Sequence, residues 1–237
     1  MYAITNEEIG RLIAAVDYTN VLSVTATERE VREACAQARA WGFRAVVALP
    51  QYLDALVDEL KGTGVLAQIL VGYPGGGVTT RVKCFEAEEG LRRGAADLDM
   101  VMNIGAFKAA DYRKVREDIE AVMSIARPFH VPFKVIIEVG VLTDEEKVTA
   151  AMLVKDCGAD FVKTSTGFLP GKLSLHDITL IRDTVGERPL IKASGGVASL
   201  EDGVACMRAG ASVVAMRQRL IEQLEKLGWP ARPGSSA

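Results

Sequence analysis

Short apolar runs alternate with amphipathic stretches along almost the whole chain. The runs have the length and the Val- and Ile-rich character of buried strands, and the stretches between them carry apolar residues at helical spacing. The clear runs are residues 44–49, 65–71, 98–104, 133–139, 161–163, 190–193 and 212–216. A weaker run before Asp17 makes about eight. Eight alternating pairs predict an α/β fold of the (β/α)8 TIM-barrel type, with a closed parallel sheet.

The stretches between the runs carry helix-boundary signals. They cover residues 27–41, 80–93, 111–127, 144–157, 174–185 and 199–209. Thr143 followed by Glu146 fits a capping box, and Ser199 followed by Asp202 fits a similar cap. Several stretches end in a glycine and an alanine directly before the next run, which favours one repeating parallel barrel. The alternative is a doubly wound open sheet, but no G-x-G-x-x-G motif opens an early helix.

Length and composition fit one globular domain. The chain has 237 residues, of which 49% are hydrophobic and 25% are charged. We predict that residues 1–227 form the barrel and that residues 228–237, which are rich in Pro, Gly and Ser, form a flexible tail. The net charge of −3 provides no general positive field for nucleic acid. Since no run reaches the roughly 18 apolar residues of a membrane span, we expect no membrane partner.

Cysteine and histidine usage narrows the chemistry further. The four cysteines lie far apart and form no C-x-x-C pair, so we predict reduced thiols and a cytoplasmic protein. The chain has only two histidines, which is too few for a zinc site built from several of them. We therefore expect catalysis without a metal or another cofactor.

Two lysines at the ends of apolar runs suggest the chemistry. Lys163 ends the run that begins at Phe161, and Lys192 lies in the next run. A buried strand has no structural need for an ammonium group, and burying one unpaired is costly. Because two nearby cations disfavour each other's protonation, one amine becomes neutral and nucleophilic near pH 7. For a lysine with an ordinary pKa of about 10.4, this requires a decrease of about three units.

Other polar residues lie at the carboxyl ends of the predicted strands, where barrel enzymes place their active sites. Asp99 is our candidate for the acid and base that moves protons to and from an enamine, through a bound water. Asp97 lies nearer the start of that strand and is therefore a weaker candidate for this acid–base role. Asp17, Lys134 and Thr164 are expected to form a supporting polar network. Two structural interpretations stay open, in which Lys134 and Glu138 form an ion pair and Asp17 caps a helix or a turn.

Several of these segments together resemble one enzyme family. Phe161-Val-Lys-Thr-Ser-Thr-Gly-Phe168, Lys192-Ala-Ser-Gly-Gly196, Asp99-Met-Val-Met-Asn-Ile-Gly105 and Lys134-Val-Ile-Ile-Glu138 are similar to the motifs of deoxyribose-phosphate aldolase. The resemblance extends over about residues 17–211. It implies a class I aldolase on a (β/α) barrel that cleaves 2-deoxy-D-ribose 5-phosphate reversibly to D-glyceraldehyde 3-phosphate and acetaldehyde. It further implies that Lys163 forms the imine, that Lys192 lowers the pKa of Lys163 and that Asp99 relays protons.

The chain departs from this family mainly at the far end of the substrate. Where relatives commonly have Asp-His-Thr-Leu-Leu-Lys-Pro, this sequence reads Asp17-Tyr-Thr-Asn-Val-Leu-Ser23. Whether Tyr18 replaces the missing imidazole is open. After the last strand, Ala215-Met-Arg-Gln-Arg219 replaces a Gly-Thr-Ser-Ser type of turn. Gly171, Lys172, Gly195 and Gly196 remain as part of an anion-binding site, and Arg217 is a further candidate for binding the phosphate.

Two interpretations of the phosphate end follow. Arg217, Arg219 or Lys172 could supply charge in place of the lost hydroxyls and retain a phosphorylated substrate. Alternatively, the enzyme takes an unphosphorylated sugar or another short aldehyde by the same imine chemistry. A barrel that binds sugar phosphates without turnover is a third reading, which the intact set of Lys163, Lys192 and Asp99 disfavours. The sequence leaves open whether the protein assembles as a homodimer or as a homotetramer.

Overall fold

The fold is a closed barrel of eight parallel strands in sequence order, β1 to β8. The computed structural model describes residues 3–231, so the end of the predicted tail, residues 232–237, lies outside the described residues. The predicted barrel is thereby confirmed, and the domain boundary at residue 227 stays a prediction. The strands are β1 Val16–Tyr18, β2 Ala45–Val47, β3 Leu66–Val71, β4 Asp97–Val101, β5 Phe133–Ile136, β6 Phe161–Lys163, β7 Leu190–Ala193 and β8 Val213–Met216.

Helices surround the barrel and cover the outward faces of the strands. They are α1 Asn6–Ala14, α2 Glu28–Trp41, α3 Leu53–Leu60, α4 Thr80–Arg92, α5 Ile104–Lys108, α6 Tyr112–Ala126, α7 Asp144–Cys157, α8 Leu175–Val185, α9 Leu200–Arg208 and α10 Arg219–Lys226. Capping boxes at Thr143 and Ser199 are confirmed. Gly42 and Gly158 end α2 and α7 in the left-handed conformation, which a residue without a Cβ adopts at low cost. Among residues 3–231 no helix has the length and apolar character needed to cross a membrane.

Two strands end earlier than the apolar pattern predicts. The run 98–104 stops being a strand after Val101, because Asn103 caps the short helix α5 with its side chain. The run 133–139 ends at Ile136, and Glu138 then takes a left-handed backbone conformation with a φ of 59°. Both positions lie at the carboxyl-terminal mouth of the barrel, directly after the ends of β4 and β5.

Alternation along the strands separates an apolar layer from a charged interior. Side chains that point outward, such as Val162 and Ile191, belong to the large hydrophobic core under the helices. The inward positions include charged residues that the parallel register brings side by side. Asp99 lies opposite Lys134, and Lys163 lies opposite Lys192. Register and the period of two thus concentrate the ionisable side chains inside the barrel.

Candidate active site

Lys163 and Lys192 share one carboxylate at the centre of the barrel. The Nζ atom of Lys163 and the Nζ atom of Lys192 each lie 2.7 Å from Oδ2 of Asp99. All three side chains are buried, with side-chain exposures of 1%, 0% and 0%. Gln68 donates from its Nε2 to the other Asp99 oxygen, and its Oε1 accepts from Lys192 at 3.2 Å. The structure therefore brings together the three residues that the sequence selected for catalysis.

A second set of ion pairs supports this centre from the amino-terminal side of the barrel. Lys192 Nζ lies 2.5 Å from Asp17 Oδ2, and Arg44 contacts the other Asp17 oxygen at 2.5 Å. The second guanidinium nitrogen of Arg44 lies 2.6 Å from Asp97 Oδ2, and Lys134 pairs with Asp97 Oδ1. Asp17 lies in β1 and points into the barrel, so the interpretation of Asp17 as a helix or turn cap is wrong.

The proposed ion pair between Lys134 and Glu138 is also wrong. Lys134 pairs with Asp97 and lies 3.4 Å from Asp99 Oδ1. The carboxylate of Glu138 instead accepts hydrogen bonds from the backbone N–H of Thr166 at 3.0 Å and from its hydroxyl at 2.5 Å. The reason is the left-handed backbone at Glu138, which breaks the period of two after the end of β5. Glu138 therefore holds the segment after β6 rather than the charge network.

Sequence reasoning missed two members of the network. Gln68 could have been recognised from the sequence, because a single amide inside the apolar strand β3 requires a polar partner within the barrel. Arg44 precedes the first residue of β2, and its side chain reaches into the barrel with 17% exposure. Its position at the start of a strand gave no indication that it pairs with two carboxylates.

The buried network carries one excess positive charge when every group is ionised. Four cations face three carboxylates in the described interior, namely Arg44, Lys134, Lys163 and Lys192 with Asp17, Asp97 and Asp99. Uncompensated charge is costly in a site removed from water. Loss of a single proton from one ammonium group balances the network.

Burial and neighbouring charges select Lys163 as the group that gives up its proton. Burial lowers the pKa of Lys163 to about 8, Lys192 adds to the decrease, and Asp99 opposes it. Burial also disfavours the charged form of Lys192, but Asp17 and Asp99 outweigh it and raise the pKa of Lys192. Against its own burial, Asp99 is held ionised by Lys163 and Lys192, which lower its pKa. The site thus holds a weakly basic amine beside a firmly charged one.

Thr164 contributes to the framework and not to the charge network. Its hydroxyl donates to the carbonyl of Ser194 at 2.8 Å and accepts from the backbone N–H of Ser194 at 2.9 Å. These bonds connect the residues that follow Lys163 and Lys192. They keep the carboxyl ends of β6 and β7 together where both amines leave their strands.

A cavity of about 370 Å³ opens above the Lys163 amine. Its lining includes Thr19, Lys163, Thr166, Gly167, Ser194, Gly195, Gly196, Arg217 and Arg219. The side chains of Arg217 and Arg219 are exposed at its rim. Neither guanidinium has a carboxylate of residues 3–231 within 4.0 Å. An acidic or phosphorylated ligand in this cavity would meet two cations that have no carboxylate partner in the described part of the chain.

The remaining predicted phosphate-binding residues lie beside this cavity. Gly171 packs against the backbone of Gly140 and does not line the cavity. Lys172 is likewise outside the lining, and its methylene groups lie next to Gly196. Tyr18 does not reach the charge network, because its hydroxyl bonds to Gln37 and Gln218 on the outer side of β1. Among residues 3–231 no cluster of His, Cys, Asp and Glu has an arrangement that could hold a metal ion.

Comparison with known proteins agrees with this geometry. The profile of the DeoC/LacD family aldolase matches residues 11–213. Deoxyribose-phosphate aldolase of Clostridium tetani is 44% identical over 197 residues, which cover 83% of this chain and 90% of that protein. The enzyme of Thermoanaerobacter sp. strain X514 is 40% identical over 215 residues, covering 90% and 96% of the two chains. A crystal structure of a putative deoxyribose-phosphate aldolase from Coccidioides immitis superposes with a TM-score of 0.84 at 33% identity, covering 90% and 84% of the two chains. This chain belongs to the DeoC/LacD family of aldolases.

Proposed function

We propose that this protein is a class I deoxyribose-phosphate aldolase whose Lys163 forms the imine. The reaction is the reversible cleavage of 2-deoxy-D-ribose 5-phosphate to D-glyceraldehyde 3-phosphate and acetaldehyde. One observation carries the proposal: a buried amine with a pKa lowered to about 8 lies at the floor of an open cavity, next to Asp99. Family membership supports the same reaction.

The first steps use the neutral amine of Lys163. Its lone pair attacks the C1 carbonyl of the open-chain sugar, and the carbinolamine that forms loses water to give an iminium ion. Asp99, 2.7 Å from the amine, exchanges protons with the intermediates through a bound water. Lys192 stays protonated because its pKa is raised, and its charge helps to keep Lys163 neutral.

Cleavage then follows from the electron demand of the iminium ion. The C3 hydroxyl gives up its proton, the bond between C2 and C3 breaks, and its electron pair forms an enamine with Lys163. Glyceraldehyde 3-phosphate leaves, the enamine takes a proton at C2, and water releases acetaldehyde. Asp99 is the group within reach of Lys163 that can move both protons by way of a water molecule.

The rim of the cavity supports a phosphorylated substrate. The exposed guanidinium groups of Arg217 and Arg219 have no carboxylate partner in the described chain and face the same opening. Gly195 and Gly196 line the same cavity with backbone φ values of 98° and 92°, and a Cβ at Gly195 would collide with Ser165. Lys172 lies outside the lining of the cavity, with its methylene groups next to Gly196. The two guanidinium groups can bind phosphate by charge where hydroxyl groups are missing.

Kinetics with two substrates test the phosphate end. We expect Arg217→Met to lower kcat/KM for deoxyribose 5-phosphate about 10- to 100-fold, as for loss of a charge-assisted hydrogen bond. Cleavage of free 2-deoxyribose should stay unchanged. Arg113→Met, which removes an arginine exposed on α6, is the matched control. Equal rates on the two substrates in the wild-type protein would favour the non-phosphorylated alternative.

We also propose a cytoplasmic homo-oligomer, either a dimer or a tetramer. Val82 and Phe85 lie one turn apart on α4 with exposures of 43% and 64%, and apolar side chains in such positions often mark interfaces. Cys35, Cys84, Cys157 and Cys206 are free thiols, which suits a reducing compartment. Light scattering tests the assembly, and a monomer at micromolar concentration would contradict it.

A further inference from the structure

The hydroxyl of Tyr18 connects three segments at the seam where the barrel closes. Tyr18 lies in β1 and is fully buried, with its ring 5.3 Å from that of Phe43. Its hydroxyl oxygen lies 2.6 Å from Oε1 of Gln218 and 2.8 Å from Oε1 of Gln37. Gln37 belongs to α2, and Gln218 directly precedes α10. A residue on the first strand thus contacts a residue 200 positions later in the chain.

The phenol is suited to a fixed bridging role. Its one proton can be donated to the Oε1 atom of either glutamine, and the contact with Gln218 is the shorter of the two. Burial, together with the negative charge of Glu222, raises the pKa of Tyr18, which keeps the hydroxyl protonated. The bridge therefore remains intact throughout the range in which Lys163 loses its proton.

Gln218 separates the two arginines at the rim of the cavity. Its backbone N–H also donates to Oδ1 of Asn20 at 3.3 Å, so both its side chain and its backbone are bound to the segment that contains β1. Arg217 accepts at its carbonyl from the N–H of Leu220 at 3.1 Å. The backbone that carries Arg217 and Arg219 is therefore held, whereas their guanidinium groups stay free of carboxylate partners among residues 3–231.

We propose that Tyr18 and Gln218 act as positioning residues for the anion-binding arginines and thereby set the preference for a phosphorylated substrate. This inference rests on the proposed function. Long exposed side chains lose conformational freedom when they bind a ligand, and a fixed backbone reduces the amount that binding must order. Loss of the bridge should therefore weaken phosphate binding and leave the chemistry at Lys163 intact, since Tyr18 does not contact the charge network.

Three variants separate positioning from general stability. Tyr18→Phe removes only the hydroxyl, Gln218→Leu removes its partner, and Gln37→Leu removes the hydrogen bond that does not involve the arginine segment. We expect the first two to raise KM for deoxyribose 5-phosphate about five- to tenfold, the size of one lost hydrogen bond, with kcat within twofold. Gln37→Leu should keep the wild-type KM. The double variant Tyr18→Phe with Gln218→Leu should resemble Gln218→Leu, because both changes break the same contact.

The outcomes distinguish this inference from the proposed function. If Arg217→Met loses phosphate preference but Tyr18→Phe keeps the wild-type KM, the inference is overturned and the function stands. A rise in KM that is equal for free deoxyribose and its phosphate ester would also overturn it, because the effect would then be structural. If the wild-type protein does not cleave the sugar phosphate, the proposed function fails. In that case, calorimetric titration with inorganic phosphate tests the positioning role of Tyr18. We expect Tyr18→Phe to bind phosphate more weakly than the wild-type protein, and equal binding would overturn the inference.

Discussion

Replacement of Lys192 by methionine tests how the site makes its nucleophile. At pH 7 an amine with a pKa of about 8 is neutral in about one molecule in ten. At the ordinary value of 10.5 it is neutral in about one in three thousand. The lowered pKa of Lys163 therefore increases the concentration of the neutral amine at pH 7 about 300-fold. Burial is the largest cause of the decrease and survives the substitution, so we expect Lys192→Met to lose about 10- to 100-fold at pH 7.

The pH dependence separates this effect from simple damage to the fold. Below its pKa, each unit of pH changes the neutral fraction of Lys163 tenfold. The wild-type kcat/KM should therefore rise with pH up to about 8, whereas Lys192→Met should continue to rise above that pH and recover activity. The assay is acetaldehyde release from deoxyribose 5-phosphate between pH 6 and 10, within the range in which lysines titrate.

A second buried lysine provides the matched control for this experiment. Lys83 lies in α4, is fully buried and pairs with Asp118 of α6. Its Nζ donates a hydrogen bond to the backbone carbonyl of Val101. Lys83→Met should lower the stability and leave the midpoint of the pH profile unchanged. If Lys192→Met kept the wild-type midpoint and rate at pH 7, the argument from the second ammonium would be refuted.

Two further substitutions address the rest of the network. Asp99→Asn removes the charge that opposes deprotonation of Lys163, so the pKa of Lys163 should fall further while turnover drops about 10²- to 10⁴-fold. The pH dependence of Lys163 acetylation by acetic anhydride, read by mass spectrometry, measures the first effect without any step that uses Asp99, and a midpoint at or above the wild-type value would contradict it. Arg44→Met leaves Asp17 and Asp97 without their shared cation and should lower the free energy of unfolding by about 3–5 kcal/mol. Urea denaturation measures this loss against Arg39→Met at a half-exposed pair, and equal losses would show that Arg44 does not stabilise buried charge.

The barrel and the proximity of the candidate catalytic residues were predictable because local signals agreed with the global fold. Apolar runs at regular spacing and helix caps give the strand order. Lys163 and Lys192 are recognisable because an ammonium group inside an apolar strand requires a compensating reason. The parallel register of β6 and β7 then places Lys163 directly beside Lys192.

The errors lie where side chains act beyond their own strand. The pair expected for Lys134 and Glu138 assumed that β5 continues, but the left-handed residue at its end turns Glu138 toward Thr166. Arg44 pairs with carboxylates on two other strands, and no spacing within β2 reveals that reach. The bridge from Tyr18 to Gln218 joins β1 to the turn after β8, and the predicted closure of the barrel does not reveal which side chains meet there.

Chemical trapping of the imine tests the central claim most directly. The protein is incubated with acetaldehyde, reduced with borohydride, digested and analysed by mass spectrometry, with Lys83→Met as a control that keeps the reactive amine. We predict one ethyl group on the peptide that contains Lys163 and none on the peptide that contains Lys192. An unmodified Lys163 peptide, or modification that survives in Lys163→Arg, would contradict the account.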